Sequence, residues 1–216
     1  HTTLKPRDSK FWDFSFHENG IYDLPVQIDF VYEKTKQKMI FLGYSLGSTA
    51  VYIYSSIFPQ DAEKKLDILI NFAPSIFYEE GGFLLTLIGK IWFLLEYPAQ
   101  LITNGKLYVR HPIPYSLVQL LCLPFPFQMR MCQIMEMFTL GFNFAQNDPE
   151  TLPITLIHNT DTTSIKTISH FTQFCNSRRF HYFDYGPERN KILYGSMEPL
   201  SYNLSDIRIP SYTFIA

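Results

Sequence analysis

The sequence predicts an α/β fold with a mainly parallel sheet, on three observations. Short apolar runs that do not alternate with polar residues, "MIFLG" from Met39 and "LDILINFAP" from Leu66, read as strands buried on both faces. Segments with helical spacing alternate with them, and helix, strand, helix, strand is the rhythm of a parallel sheet covered by helices. The rhythm breaks from about Ser75 to Asn159, where Leu, Phe, Met and Pro crowd together without strand spacing, and it returns near Ser164.

Taken in order, "YDLPVQIDFVYEKTKQK" puts Leu24, Ile28, Val31 and Tyr32 on one helical face, with Asp23 as N-cap and Pro25 in the first turn, where its missing N–H costs least. "LGSTAVYIYSSIF" carries Ala50, Tyr54 and Ile57 on one face, and Pro59 ends that helix. The segment 77–159 reads as an inserted, mainly helical subdomain between two parts of one core, 1–76 and 160–216. A helix over roughly Ser164 to Ser177, a strand around "FHYFDY" from Phe180 and a last strand in "IPSYTFIA" complete the pattern.

Composition narrows the function classes. The 216 residues are 46% hydrophobic and 17% aromatic, enough for a large core, and 18 Lys+Arg against 20 Asp+Glu leave a formal charge of −2. With no basic run longer than Arg178–Arg179, nucleic acid is not an expected partner. The apolar stretch from Gly81 is interrupted by Lys90 and Glu96 and closed by Pro98, short of the roughly 18–20 uncharged residues a membrane-spanning helix needs. No His and Cys spacing suggests a metal, and no cofactor is expected. Cys122 and Cys132 close a short loop as a candidate disulfide, and Cys175 is left over. Asn203-Leu204-Ser205 is an N-glycosylation sequon; with the cysteines it leans towards the secretory pathway.

Gly43-Tyr44-Ser45-Leu46-Gly47 matches G-x-S-x-G, the nucleophile elbow. The pentapeptide lies where an independent reading puts a strand before it and a helix after it. A strand that turns sharply into a helix strains the serine and brings neighbouring positions close, which is the physical reason for Gly43 and Gly47. Ser45 is then a candidate nucleophile, and the Leu46 N–H at the positive end of the following helix a candidate oxyanion donor.

Around this motif the chain resembles the acid lipase family of animals, the group of gastric and lysosomal acid lipases and related insect lipases. Phe11 to Glu18 match the family's F-W-x-F-S-(F/W)-x-E, Tyr22 to Asp29 its Y-D-L-P-A-x-I-D, and Gly43 to Thr49 its G-H-S-Q-G-T-T, in order and at similar spacing. "FAPSIFY", "HNTDTTSIKTISHFTQ", "YFDYGPERN" and "SYNLSDIRIP" resemble later family segments, so the similarity is weakest over Gly81 to Ala145. Tyr44 and Leu46 stand where the family usually has His and Gln.

The resemblance implies an α/β-hydrolase core with an inserted helical cap, incomplete at both termini, and a secreted or lysosomal enzyme. It implies cleavage of neutral lipid esters, triacylglycerols or cholesteryl esters, through an acyl-enzyme on Ser45, with contact to a lipid–water interface. The family's chain order is Ser, Asp, His, and the acid and base fall after the strand that "IPSYTFIA" resembles, so the triad Asp and His are not in this chain. The second oxyanion donor falls before His1. Inside the chain His158, His170, His181 and Asp184 are available as substitutes, and His17-Glu18 reads as a surface pair. A rival of a different class is a truncated, catalytically inactive lipase-like protein that binds lipid or a protein partner. A third reading is a carboxylesterase for small esters. Loss of the sheet's last strand and of the helix that covers it predicts an exposed apolar edge and face, and poor solubility or a partner for these residues alone.

Overall fold

A computed structural model describes residues 3–76, 83–107, 122, 127–140, 142–144, 148 and 162–215. In chain order there are a 3-10 turn (Ser9–Trp12), helix α1 (Phe16–Glu18), a π turn (Asn19–Asp23), α2 (Leu24–Thr35), strand β1 (Met39–Tyr44), α3 (Leu46–Ile57), α4 (Pro59–Lys65), β2 (Leu66–Phe72), α5 (Phe83–Thr103), β3 (Lys106–Leu107), α6 (Phe127–Leu140), β4 (Thr163–Ser164), α7 (Ile165–Ser177), α8 (Pro187–Tyr194), a second 3-10 turn (Leu204–Asp206) and β5 (Ser211–Phe214). They form two compact units, Phe14–Glu79 with Lys166–Ala216, and His1–Asp13 with Glu80–Ile165.

The first of these units holds a three-stranded parallel sheet in the order β1-β2-β5, with Gly43 opposite Asn71, Tyr44 opposite Phe72, and Phe72 opposite Phe214. The two apolar runs are therefore adjacent strands, and the helices between them make the crossover that parallel pairing requires. Helix α3 is buried from Ser48 to Ser56, which is why it is apolar on nearly every side. Val51 and Tyr54 pack with Leu24, Ile28, Leu66 and Leu69. Tyr52 and Ile53 pack with Phe16, Phe174, Phe180 and Tyr202. The Tyr52 hydroxyl lies 2.8 Å from Ser211 Oγ and 2.6 Å from Thr213 Oγ1, tying α3 to β5.

Several local expectations are corrected. The helix expected to begin at Asp23 continues an earlier one: Ser15 caps α1 in a capping box with Glu18, and the path runs through the π turn into α2. Asp23 makes no cap; its carboxylate accepts from Asn19 Nδ2 at 2.9 Å. Pro25 has no N–H to give to the turn before it, and the wide π turn absorbs that loss. The same turn places Gly20 against α3, where a Cβ would lie 2.5 Å from Ile53 Cγ2. Val31, expected on the buried face, is exposed. Pro59 begins α4 instead of merely ending α3, since proline fits the first helical turn as well as it breaks the last.

"FHYFDY" is not a strand. It makes one isolated bridge, His181 to Ser201, because its aromatic side chains are used in a cluster with Tyr194 and Tyr202 and Asp184 folds back into a turn. The sheet, expected to be covered on both faces, is covered on one among the described residues. Ile40, Leu42 and Tyr44 of β1, Phe72 of β2 and Tyr212 and Phe214 of β5 alternate onto the other face and are exposed.

In the other unit, α5 runs through Pro98 to Thr103 where a stop was expected, at the cost of one intrahelical N–H. Phe93, Leu94, Tyr97, Leu101 and Ile102 on it are exposed. Cys122 and Cys132 form a disulfide with Cα atoms 5.6 Å apart, and Cys175 is free. β3 and β4 pair antiparallel, Lys106 to Ser164 and Leu107 to Thr163. Among the described residues no helix is long and apolar enough to cross a membrane.

Candidate active site

Ser45 is the single residue between β1 and α3, at φ 49 and ψ −114. That left-handed conformation costs an L-residue about 1–3 kcal/mol and persists only where the surroundings impose it. Here they do. The Ser45 N–H donates to the Phe72 carbonyl at 2.9 Å, and the Ser45 carbonyl accepts from the Thr49 N–H at 3.1 Å. The strand therefore holds one side of the serine and the helix the other.

The two motif glycines differ. A Cβ on Gly43 would lie 2.7 Å from Ser48 Oγ, 2.9 Å from Ser48 Cα and 3.0 Å from Asn71 Oδ1, so β1 and α3 meet too closely there for any side chain. A Cβ on Gly47 would meet nothing within 4 Å among the described residues. The collision expected at both glycines exists at Gly43 alone. Leu46, the first residue of α3, has an N–H with no intrahelical acceptor, at the helix end where partial positive charge gathers. Its side chain and that of Tyr44 are exposed.

No base is bonded to the Ser45 hydroxyl among the described residues, and the histidines near the sheet are committed elsewhere. His170 is wholly buried: its Nε2 donates to the His181 carbonyl at 2.9 Å, which leaves Nδ1 to face the Ser15 hydroxyl at 3.0 Å. That hydroxyl also lies 2.8 Å from Glu18 Oε2, and Lys166 pairs with Glu18 Oε1 at 3.0 Å. His181 Nδ1 donates to the Tyr182 carbonyl at 2.6 Å, and its Nε2 faces the Ser177 hydroxyl at 2.9 Å. Asp184, expected on a strand, lies in a loop and accepts from the Gly186 N–H and Asn190 Nδ2 at 2.8 and 2.7 Å. His158 lies outside the described residues. His17-Glu18 is not a surface pair; His17 Nδ1 lies 2.8 Å from the Tyr202 hydroxyl, and Glu18 holds the buried network just described. Among the described residues no three metal-ligating side chains gather.

Burial lowers the pKa of His170 to about 3, and burial lowers those of His17 and His181 as well. The folded state thus favours neutral His170 while the unfolded chain takes up a proton at its ordinary 6.5. The His170 contribution is fully present above pH 6.5 and is lost as pH falls towards 3, at up to about 1.4 kcal/mol per pH unit. Glu18, held below its ordinary value chiefly by Lys166 against the opposing cost of burial, works in the same direction at lower pH. Urea unfolding at stepped pH is expected to show wild type losing stability relative to His170→Gln below pH 6.5. A pH-independent difference between the two would contradict that assignment.

No family model matches the chain. "Lipase 1" of Drosophila melanogaster is 30% identical over 222 residues, covering 99% of this chain and 47% of its own length. Human "Gastric triacylglycerol lipase" is 29% identical, covering 95% and 51%, and human "Lipase member K" is 28% identical, covering 98% and 52%. The chain spans about half the length of the curated relatives it matches. A solved monoacylglycerol lipase of Paleococcus ferrophilus covers 94% of this chain and 66% of its own at 14% identity, with a TM-score of 0.33, too low to bear on the fold. The parallel sheet with its surrounding helices and the strained strand-to-helix serine form an α/β core with the geometry of a nucleophile elbow, and over nearly its whole length the chain is similar in sequence to gastric triacylglycerol lipase and other animal lipases.

Proposed function

We propose that these residues are the nucleophile-bearing part of a lipase-like serine ester hydrolase acting on neutral lipid esters, triacylglycerols or cholesteryl esters. The observation that carries it is Ser45 held at φ 49 between a parallel strand and a buried helix. In the proposed cycle Ser45 Oγ attacks the ester carbonyl carbon and its proton passes to a base. The oxyanion forms against the Leu46 N–H, the alcohol leaves with that proton, and water then releases the fatty acid from the acyl-enzyme. The aspartate and histidine that complete the triad are proposed to come from outside these 216 residues, because both ring nitrogens of His170 and of His181 are bonded to other partners and Asp184 Oδ1 is turned to the Gly186 N–H and Asn190.

Residues 77–159 are proposed as the helical cap between core segments 1–76 and 160–216, and the exposed apolar side chains of α5 suit a lipid–water interface. A secreted or lysosomal location is supported by the Cys122–Cys132 disulfide and by Asn203, exposed at the head of a 3-10 turn and available for glycosylation. The second reading, an inactive lipid- or partner-binding chain, is favoured by one observation, the absence of a base on Ser45 among the described residues.

The deciding experiment is hydrolysis of emulsified long-chain triacylglycerol and cholesteryl ester, beside a short soluble ester, by the full-length protein that carries these residues. Release of long-chain fatty acid is the expected result. Turnover of the short ester alone would mean a carboxylesterase, and turnover of none by folded protein that still binds a fluorescent lipid would mean the inactive binder.

A further inference from the structure

The strain at Ser45 must be held by something beyond the elbow's own chain path, and the buried hydroxyl of Thr49 is placed to do it. Thr49 Oγ1 donates to the Ser45 carbonyl at 3.3 Å and accepts the Ser75 N–H at 3.0 Å. One side chain thus joins the carbonyl of the candidate nucleophile to the segment that follows β2. A threonine bonding back to the carbonyl four residues earlier is common in helices and by itself means little. Three features set this one apart. Its carbonyl partner belongs to a residue in a left-handed conformation, its hydroxyl is wholly buried, and the second bond comes from a different part of the chain.

That second partner is itself fixed. β2 is left through Ala73, at φ 46, whose N–H donates to the Phe214 carbonyl at 2.8 Å. The Phe72 carbonyl just before it accepts from the Ser45 N–H and, at 3.4 Å, from Ser48 Oγ. The end of β2 therefore grips the elbow on both sides: Phe72 holds the Ser45 amide, and Ser75, through Thr49, holds the Ser45 carbonyl. With both peptide groups flanking Ser45 fixed, the direction of its Cα–Cβ bond relative to the Leu46 N–H is fixed too.

We propose that Thr49 is a positioning residue that sets the aim of the Ser45 hydroxyl by tying the Ser45 carbonyl to the Ser75 amide. This rests on Ser45 being the nucleophile. Loss of the Thr49 hydroxyl would leave the Ser45 carbonyl with the Thr49 N–H alone and cut its tie to Ser75, loosening the Ser45 peptide so that substrate binding stays in place while the attacking atom is misaimed.

The test uses full-length protein as wild type, Thr49→Val and Thr49→Ser, with thermal melting to confirm folding. Each is reacted with a fluorophosphonate probe mapped by peptide mass and assayed on one soluble ester. Thr49→Val is expected to slow both Ser45 labelling and kcat by about 10- to 100-fold while KM changes by less than about twofold. Thr49→Ser, which keeps the hydroxyl, is expected to recover to within about threefold of wild type. Labelling of Thr49→Val at the wild-type rate, or Thr49→Ser as slow as Thr49→Val, overturns the proposal. If Thr49→Val does not fold, Thr49→Cys, whose thiol is a weak donor and acceptor, takes its place under the same criteria. Folded wild type that gives no Ser45 adduct overturns the nucleophile reading itself, and this inference with it.

Discussion

Replacing Ser45 with alanine in the full-length protein is expected to lower ester hydrolysis by on the order of 10⁴- to 10⁶-fold, with the fold intact. Among the described residues the side chain makes no bond that holds the elbow: the Phe72 carbonyl binds the Ser45 amide, and the Thr49 amide and hydroxyl bind the Ser45 carbonyl. Alanine keeps a Cβ at φ 49, so the strain stays. Glycine at the same position removes it, and Ser45→Gly is expected to be more stable than Ser45→Ala by about 1 kcal/mol. The pair separates chemistry from scaffold, since both variants lose the hydroxyl and one of them gains stability. Equal melting temperatures for the two would mean that the elbow is not strained at Ser45.

The second large effect lies in the glycines on either side. Gly43→Ala is expected to destabilise by about 1–3 kcal/mol or more, because its Cβ meets the Ser48 backbone and not merely the end of a flexible side chain. Relieving that contact requires α3 to move away from β1, which would carry Ser45 with it, so activity is expected to fall together with stability. Gly47→Ala is expected to leave the fold unharmed or to stabilise it by up to about 0.5–1 kcal/mol, since the position is helical and the space before its Cα is open. Urea unfolding with parallel activity assays checks both. A stable Gly47→Ala protein with impaired turnover would place the value of that glycine in the room it leaves for substrate.

The parallel core was legible wherever one physical signal dominated. Short apolar runs that do not alternate with polar residues marked β1 and β2, and the strand-to-helix context of Gly43 to Gly47 marked the elbow. Signals with two meanings misled. Pro59 reads as a stop but serves as a start, and aromatic alternation in "FHYFDY" reads as a strand but feeds a side-chain cluster on a loop. One signal was present and passed over: Ser15 and Glu18 have the spacing of a capping box, which would have moved the helix start back from Asp23.

The rest of the site was not legible, because it depends on partners far apart in sequence. The bonds of Thr49 to Ser75 and of Ser45 to Phe72 join segments whose proximity follows only from the pairing of β1 with β2. The histidines make the same point. As residue types they are candidate bases, and only the carbonyls of His181 and Tyr182 and the hydroxyls of Ser15 and Ser177 show that their nitrogens are occupied.

Fluorophosphonate labelling of the full-length protein, followed by tryptic mapping, addresses the central claim most directly. A single adduct on Ser45, within the tryptic peptide Met39–Lys64, is the expected result. An adduct on a different serine, or none in protein shown to be folded, would contradict it.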